Sequence, residues 1–186
     1  MVVEWGSNSP TLEPLAKRAS ADRIPVCGAG WAGSSPTIFG STPNYCSSHV
    51  PTHPETFGVM LDWIMDTWDE DRPPRVGLTF MDTPTTRICE RPEGLPAYAA
   101  EIGVDLLPME WLAPAATTAT IEMTRLMNAN ADHVSYLGTA AQLAVIMQDA
   151  VRLGFKDKAT WIHNIGFDES VLVAAGEAAE GMYGAL

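Results

Sequence analysis

The chain has 186 residues, 46% of them hydrophobic, a mean hydropathy of +0.01 and a formal net charge of −12. These values are typical of a globular protein with one substantial core, and no apolar run reaches the roughly 18 residues of a membrane-spanning helix. The acidic balance argues against a nucleic-acid partner, because phosphate backbones require a basic face.

Near the N-terminus, a short apolar run ends in Gly28-Ala29-Gly30-Trp31-Ala32-Gly33, which has the spacing of the dinucleotide-binding fingerprint G-x-G-x-x-G. That fingerprint requires a helix to begin at its third glycine, whereas Pro36, Gly40 and Pro43 interrupt the segment that follows. We therefore predict a loop at 28–33 that faces a cleft and approaches another molecule with bare backbone, and we expect no nucleotide or other cofactor.

The histidines and cysteines do not form a recognisable metal motif. His49 and His53 have H-x-x-x-H spacing, but Pro51 lies between them and disrupts the single helical face that such a zinc site would use, so no metal is expected. There is no C-x-x-C motif, and disulfide formation stays open for the three cysteines, which are Cys27, Cys46 and Cys89.

From residue 54 onward, helical and strand patterns alternate along the chain. Helices are predicted within 54–72, at the end of 85–103, and over 116–130, 140–155 and 168–181. Ile121 and Val151 are expected on buried helix faces. Strands are predicted near 75–81, 104–110, 133–138, 159–163 and 181–185. This alternation predicts an α/β fold with a Rossmann-like parallel sheet and helices on both faces. In such sheets ligands bind beyond the carboxyl ends of the strands.

A resemblance to a known family covers nearly the whole chain, and its most specific piece is AAEGMY at 178–183. The sequence ADHVSYLGTAAQLAVIMQDAVRLGF at 131–155, followed by a strand and by AAGEAAEGMYG at 174–184, resembles the type I periplasmic binding proteins, in particular the leucine/isoleucine/valine-binding receptors of ABC transporters. The segment at 5–30 is similar to the first lobe of the same family. The resemblance implies an internal fragment of a longer protein, with a partial first lobe and hinge crossing at 1–52 and a nearly complete second lobe at 53–186.

The resemblance also implies ligand contacts in the first lobe. Ser7 and Ser9 match the loop whose hydroxyl meets the ligand carboxylate, and Ser9 is the closer match. Gly30, Trp31 and Ala32 match the loop whose backbone N–H groups cradle the ligand, which would account for the glycines of the opening motif. Trp31 is expected either to stack on the ligand or to pack at the hinge.

In the second lobe, the matching positions follow the carboxyl ends of three predicted strands. Thr85 and Thr86 replace an aromatic Tyr-Gly turn, and Thr139 follows the next strand. His163 or Asn164 stands where the family has an acidic residue that pairs with an α-ammonium group. Because a buried ammonium group without a counter-charge is costly, the ligand class stays open among amino acids, carboxylates and amides.

The function implied by the resemblance is that of a periplasmic or extracellular solute-binding receptor, whose partners are a small polar ligand and the membrane permease of an ABC transporter. Two alternatives stay open: a ligand-sensing domain of a receptor or regulator, and a doubly wound α/β enzyme built around Asp82 and His163. We expect no catalytic activity, because Ser9 does not lie in a G-x-S-x-G elbow. A partial lobe would leave an unpaired strand edge, so self-association through residues 1–52 and weak ligand binding are expected.

Overall fold

A computed structural model describes residues 2–3, 18–27, 45–47, 51–164 and 169–184. Within these ranges the strands form two sheets, and every strand pair is parallel. The smaller sheet has the order β1-β2-β3 and consists of Val2–Val3, Val26–Cys27 and Cys46–Ser47.

The larger sheet has six strands in the order β5-β4-β7-β8-β9, with β6 pairing to β4. Its strands are β4 (Arg75–Met81), β5 (Asp105–Leu106), β6 (Glu110–Leu112), β7 (His133–Leu137), β8 (Thr160–His163) and β9 (Tyr183–Gly184). Within the described residues after 51, the α-helices are α1 (His53–Thr67), α2 (Leu95–Ile102), α3 (Thr120–Asn128), α4 (Ala140–Arg152) and α5 (Glu169–Ala175). Short 3₁₀ helices occupy Thr86–Glu90, Lys156–Lys158 and Gly176–Ala179.

The start of α1 illustrates how local sequence sets a helix boundary. Thr52 and Glu55 form a capping box, in which the Glu55 carboxylate accepts hydrogen bonds from the Thr52 backbone N–H at 2.6 Å and from its hydroxyl at 2.8 Å. Pro54 lies in the first turn, where its missing N–H costs nothing. These bonds lower the pKa of the Glu55 carboxyl.

Helices cover both faces of the larger sheet and bury a separate apolar cluster on each. One cluster packs Val134, Tyr136 and Trp161 of the sheet against α3, α4 and α5. The other packs Val76, Leu78, Phe80 and Ile162 against α1 and α2. The predicted Rossmann-like parallel α/β fold is therefore confirmed.

Three details of the prediction were wrong. The strand expected at 104–110 is two short strands on the same side of β4, interrupted at 107–109, where Pro108 has no N–H to give to a sheet. Ile121 is 64% exposed and Val151 is 50% exposed, although both were expected on buried faces. Each lies beside the apolar stripe of its helix, whose width helical spacing alone does not define.

Several expectations fall outside the described residues. Five first-lobe ligand candidates and the loop at 28–33 are among them; the candidates are Ser7, Ser9, Gly30, Trp31 and Ala32. The division into lobes at 1–52 and 53–186 stays a prediction. Within the described ranges, no helix is both long and apolar enough to cross a membrane.

Candidate functional site

The carboxyl edge of the larger sheet gathers the polar loops that the sequence indicated. Because all its strand pairs are parallel, the residues following β4, β7 and β8 emerge at one edge. Thr139 is exposed and Thr85 is partly buried, whereas the structure buries Thr86, His163 and Asn164. The edge is therefore formed of exposed and internal polar groups.

The hydroxyl of Thr86 holds together the turn after β4. It donates to the Met81 carbonyl at 2.6 Å, accepts from the Thr83 backbone N–H at 3.1 Å, and lies 3.0 Å from the Thr83 hydroxyl. Thr86 is only 4% exposed, and it begins the 3₁₀ helix that leads toward α2. Thr85 precedes it as the N-cap residue of that helix. Thr86 thus stabilises the loop that presents Thr85.

An arginine between two carboxylates neutralises much of the charge of this loop. Arg87 donates two hydrogen bonds of 2.8 Å to the Asp82 carboxylate, and another of 3.1 Å to Glu90. Its guanidinium lies 3.8 Å from the ring centre of Trp111, and the Trp111 ring also stacks on the ring of Phe80. The hydrogen bonds from Arg87 lower the pKa of the Asp82 carboxyl.

Beneath this loop lies the thiol of Cys89. It is fully buried in the apolar cluster on the α1 and α2 side, and it is a free thiol. Burial raises its pKa to about 12, because the thiolate would lose its hydration.

The turn between β7 and α4 carries the exposed candidate Thr139. Thr139 is the N-cap residue of α4, and its side chain accepts a hydrogen bond of 3.4 Å from the Gln142 backbone N–H. Gly138 precedes it, and a Cβ atom there would lie 1.9 Å from the Tyr136 hydroxyl oxygen. Only glycine allows the phenol to lie so close to this turn.

At the end of β8, His163 and Asn164 are 1% and 4% exposed, respectively. His163 pairs with Tyr136 across the two strands, with their ring centres 6.0 Å apart. The Asn164 amide donates to the Thr56 hydroxyl of α1 at 3.4 Å. The structure therefore brings His163 and Asn164 to the predicted edge, but beneath its surface rather than on it.

Two residues at or near this edge were not among the sequence candidates. The Gln142 amide bridges the Tyr136 hydroxyl and the Ala113 carbonyl, with both bonds at 2.7 Å. Trp111 supports Arg87 from the neighbouring strand β6. A signal for Gln142 was present, because Thr139-x-x-Gln142 has capping-box spacing, but that pattern predicts a bond within α4 rather than a bridge between strands.

A parallel α/β sheet with polar loops at its carboxyl edge belongs to the class of folds that bind small ligands at that edge. The model of the family described as periplasmic binding protein matches residues 2–186, so the chain belongs to this family, as the resemblance predicted. It is a family of type I ligand-binding receptors. A search of curated proteins gave no significant match.

Solved structures give the same fold at low identity. A periplasmic binding protein type 1 from Bordetella pertussis Tohama I superposes with a TM-score of 0.74 at 17% identity, covering 95% of this chain and 46% of that one. A branched-chain amino acid ABC transporter protein from Thermus thermophilus with bound valine gives 0.71 at 22%, covering 94% and 43%. A fatty acid ABC transporter substrate-binding protein from Thermomonospora curvata gives 0.72 at 16%, covering 95% and 44%. The chain thus spans about half the length of these proteins.

Proposed function

We propose that the chain forms the second lobe and part of the first lobe of an extracytoplasmic solute-binding receptor, which delivers a small polar ligand to the permease of an ABC transporter. Family membership and the fold support this proposal. The observation that carries it is the exposed residue Thr139 at the N-terminus of α4, on the carboxyl edge where ligands of parallel α/β folds bind.

The proposed lobe-two contacts are Thr85, Thr139, His163 and Asn164, with Thr86 supporting the loop. Ser7, Ser9, Gly30, Trp31 and Ala32 are the proposed contacts from lobe one. We favour a ligand whose lobe-two end is a carboxylate or amide, because the two carboxylates beside the β4 loop, Asp82 and Glu90, are already paired with Arg87. For His163 and Asn164 to contact a ligand, the groups covering them must move when the lobes close.

A thermal-shift screen against amino acids, aromatic acids, amides and short carboxylates tests the proposal. For a compound that stabilises the protein, Thr139→Ala is expected to raise the dissociation constant about tenfold, because one hydrogen bond is lost, and Thr139→Ser is expected to restore it. Thr67→Ala is the matched control, since Thr67 is an exposed threonine at the opposite end of α1 from this edge. An equal loss of ligand affinity in Thr139→Ala and Thr67→Ala would contradict the assignment of Thr139 as a ligand contact.

A further inference from the structure

Gln142 lies in the first turn of α4, three residues after the N-cap Thr139. In a capping box, the side chain at this position accepts a hydrogen bond from the N-cap backbone N–H. Here its oxygen instead accepts from the Tyr136 hydroxyl at 2.7 Å, and its nitrogen donates to the Ala113 carbonyl at 2.7 Å. The amide is therefore directed away from its own helix toward two other elements.

These two bonds connect strands that do not touch each other. Tyr136 belongs to β7, and Ala113 follows the last residue of β6; both strands pair with β4, on opposite sides. The Gln142 side chain consequently spans the end of β4. Gln142 is 3% exposed and Tyr136 is 2% exposed, so water does not readily replace the bond between them. Ala113 is exposed, and the bond to its carbonyl is only partly buried.

The bridge extends to the exposed side of the edge. The Tyr136 hydroxyl occupies the space that a Cβ of Gly138 would need. Burial raises the pKa of this phenol, and hydrogen bonds from Thr139 partly oppose that increase. On the other side, the Ala113 carbonyl also accepts from the Ala116 backbone N–H at 2.9 Å. One amide thus links the turn that presents Thr139 to the turn that follows β6.

We propose that Gln142 is a positioning residue of the ligand edge, whose amide fixes the β7–α4 turn and the turn after β6 at one separation by bridging Tyr136 and Ala113. Its importance for ligand binding rests on the proposed function. The positioning itself does not, because it is measurable in the protein without any ligand.

Amide hydrogen exchange of the unliganded protein tests the proposal at two backbone N–H groups. The Ala116 N–H reports on the turn after β6. The Leu143 N–H, which donates to the Thr139 carbonyl at 3.0 Å, reports on the β7–α4 turn. Gln142→Leu, which removes both bonds, is expected to speed exchange at both reporters about tenfold, the change that corresponds to one net hydrogen bond each. Gln148→Leu, at an exposed glutamine of the same helix, is expected to change neither.

Two further variants separate the two bonds and keep the test usable if Gln142→Leu does not fold. Tyr136→Phe removes only the hydroxyl and is expected to speed exchange at Leu143 alone. Gln142→Glu keeps an acceptor for Tyr136 but loses the donor to Ala113, so exchange is expected to rise at Ala116 more than at Leu143. Uniform acceleration over the whole domain, or unchanged exchange at Ala116 in both Gln142 variants, would overturn the proposal. Failure of the ligand screen with these exchange patterns intact would refute the proposed function alone.

Discussion

Replacing Asp149 with alanine is expected to destabilise the fold more than any exposed substitution. Asp149 lies on α4, is 1% exposed, and its Oδ2 accepts three hydrogen bonds at the N-terminus of α3. These come from the Thr118 hydroxyl at 2.8 Å, the Ala119 backbone N–H at 2.7 Å and the Thr120 hydroxyl at 2.9 Å. A carboxylate from α4 therefore caps the preceding helix α3, since the N-cap residue Ala119 has no side-chain acceptor.

The magnitude follows from which donors water can reach once the carboxylate is gone. Thr118 and Thr120 are exposed, so water replaces Asp149 as their partner at little cost. Ala119 is fully buried, and its unpaired N–H costs about 1–3 kcal/mol, to which the loss of a buried negative charge at the N-terminus of α3 adds about 1 kcal/mol. We expect Asp149→Ala to lower the free energy of unfolding by about 3 kcal/mol, and Tm by about 6–12 °C for a chain of this size.

Urea unfolding followed by circular dichroism measures this loss. Asp149→Asn keeps an oxygen that can accept from the Ala119 N–H, so its loss in the free energy of unfolding is expected to be about half that of Asp149→Ala. Arg152 forms an ion pair with Asp149, whose side chain is only 1% exposed, so Arg152→Ala removes the counter-charge of a buried carboxylate. It is expected to destabilise the fold, but less than Asp149→Ala does, because the three hydrogen bonds to Oδ2 remain. A loss below about 1 kcal/mol in Asp149→Ala would refute the reasoning, because it would mean that the Ala119 N–H finds another partner.

Three other predictions concern packing, pH and association. Gly138→Ala is expected to lower the free energy of unfolding by about 2 kcal/mol through overlap with the Tyr136 hydroxyl, and by less when Tyr136 is replaced with Phe. Chemical unfolding of the single and double variants measures both values. Burial lowers the pKa of His53 from 6.5 to about 4. Its contribution to stability is therefore present above pH 6.5 and is lost as the pH falls toward 4, by up to ~3 kcal/mol. When unfolding is measured against pH, the free energy of unfolding of His53→Gln should fall less steeply in acid than that of the wild type. The isolated chain is expected to self-associate through residues 1–52, and a monomer in sedimentation at high micromolar concentration would contradict this.

The fold was predictable because its signals are local and repeated. Apolar runs such as 75–81 and 133–138 are buried along nearly their whole length, which is typical of central parallel strands, and each is followed by a helix that covers a face of the sheet. Pro108 was visible in the strand predicted at 104–110, yet whether it interrupts the strand depends on whether its position faces a neighbouring strand or solvent. The sequence does not contain that information in any short window.

The site was less predictable because a polar side chain has several possible partners. Thr86 was expected to contact a ligand, but its hydroxyl bonds the backbone five residues earlier, at Met81. Gln142 had a local pattern that predicted a cap, whereas its amide bonds Ala113, 29 residues away. Spacing along the chain identifies which groups reach the carboxyl edge, and only the packed structure decides which of them are already satisfied.

The buried thiol of Cys89 makes the loop above it accessible to a kinetic measurement. Alkylating reagents react with the thiolate, and a pKa of about 12 leaves little of it at neutral pH even where a reagent can enter. Modification at this position therefore requires the segment Thr86–Glu90 to lift away from the apolar cluster. The rate of labelling at Cys89, read by peptide mass spectrometry, reports how often the β4 side of the ligand edge opens, and a compound that binds there should slow this reaction in proportion to its occupancy.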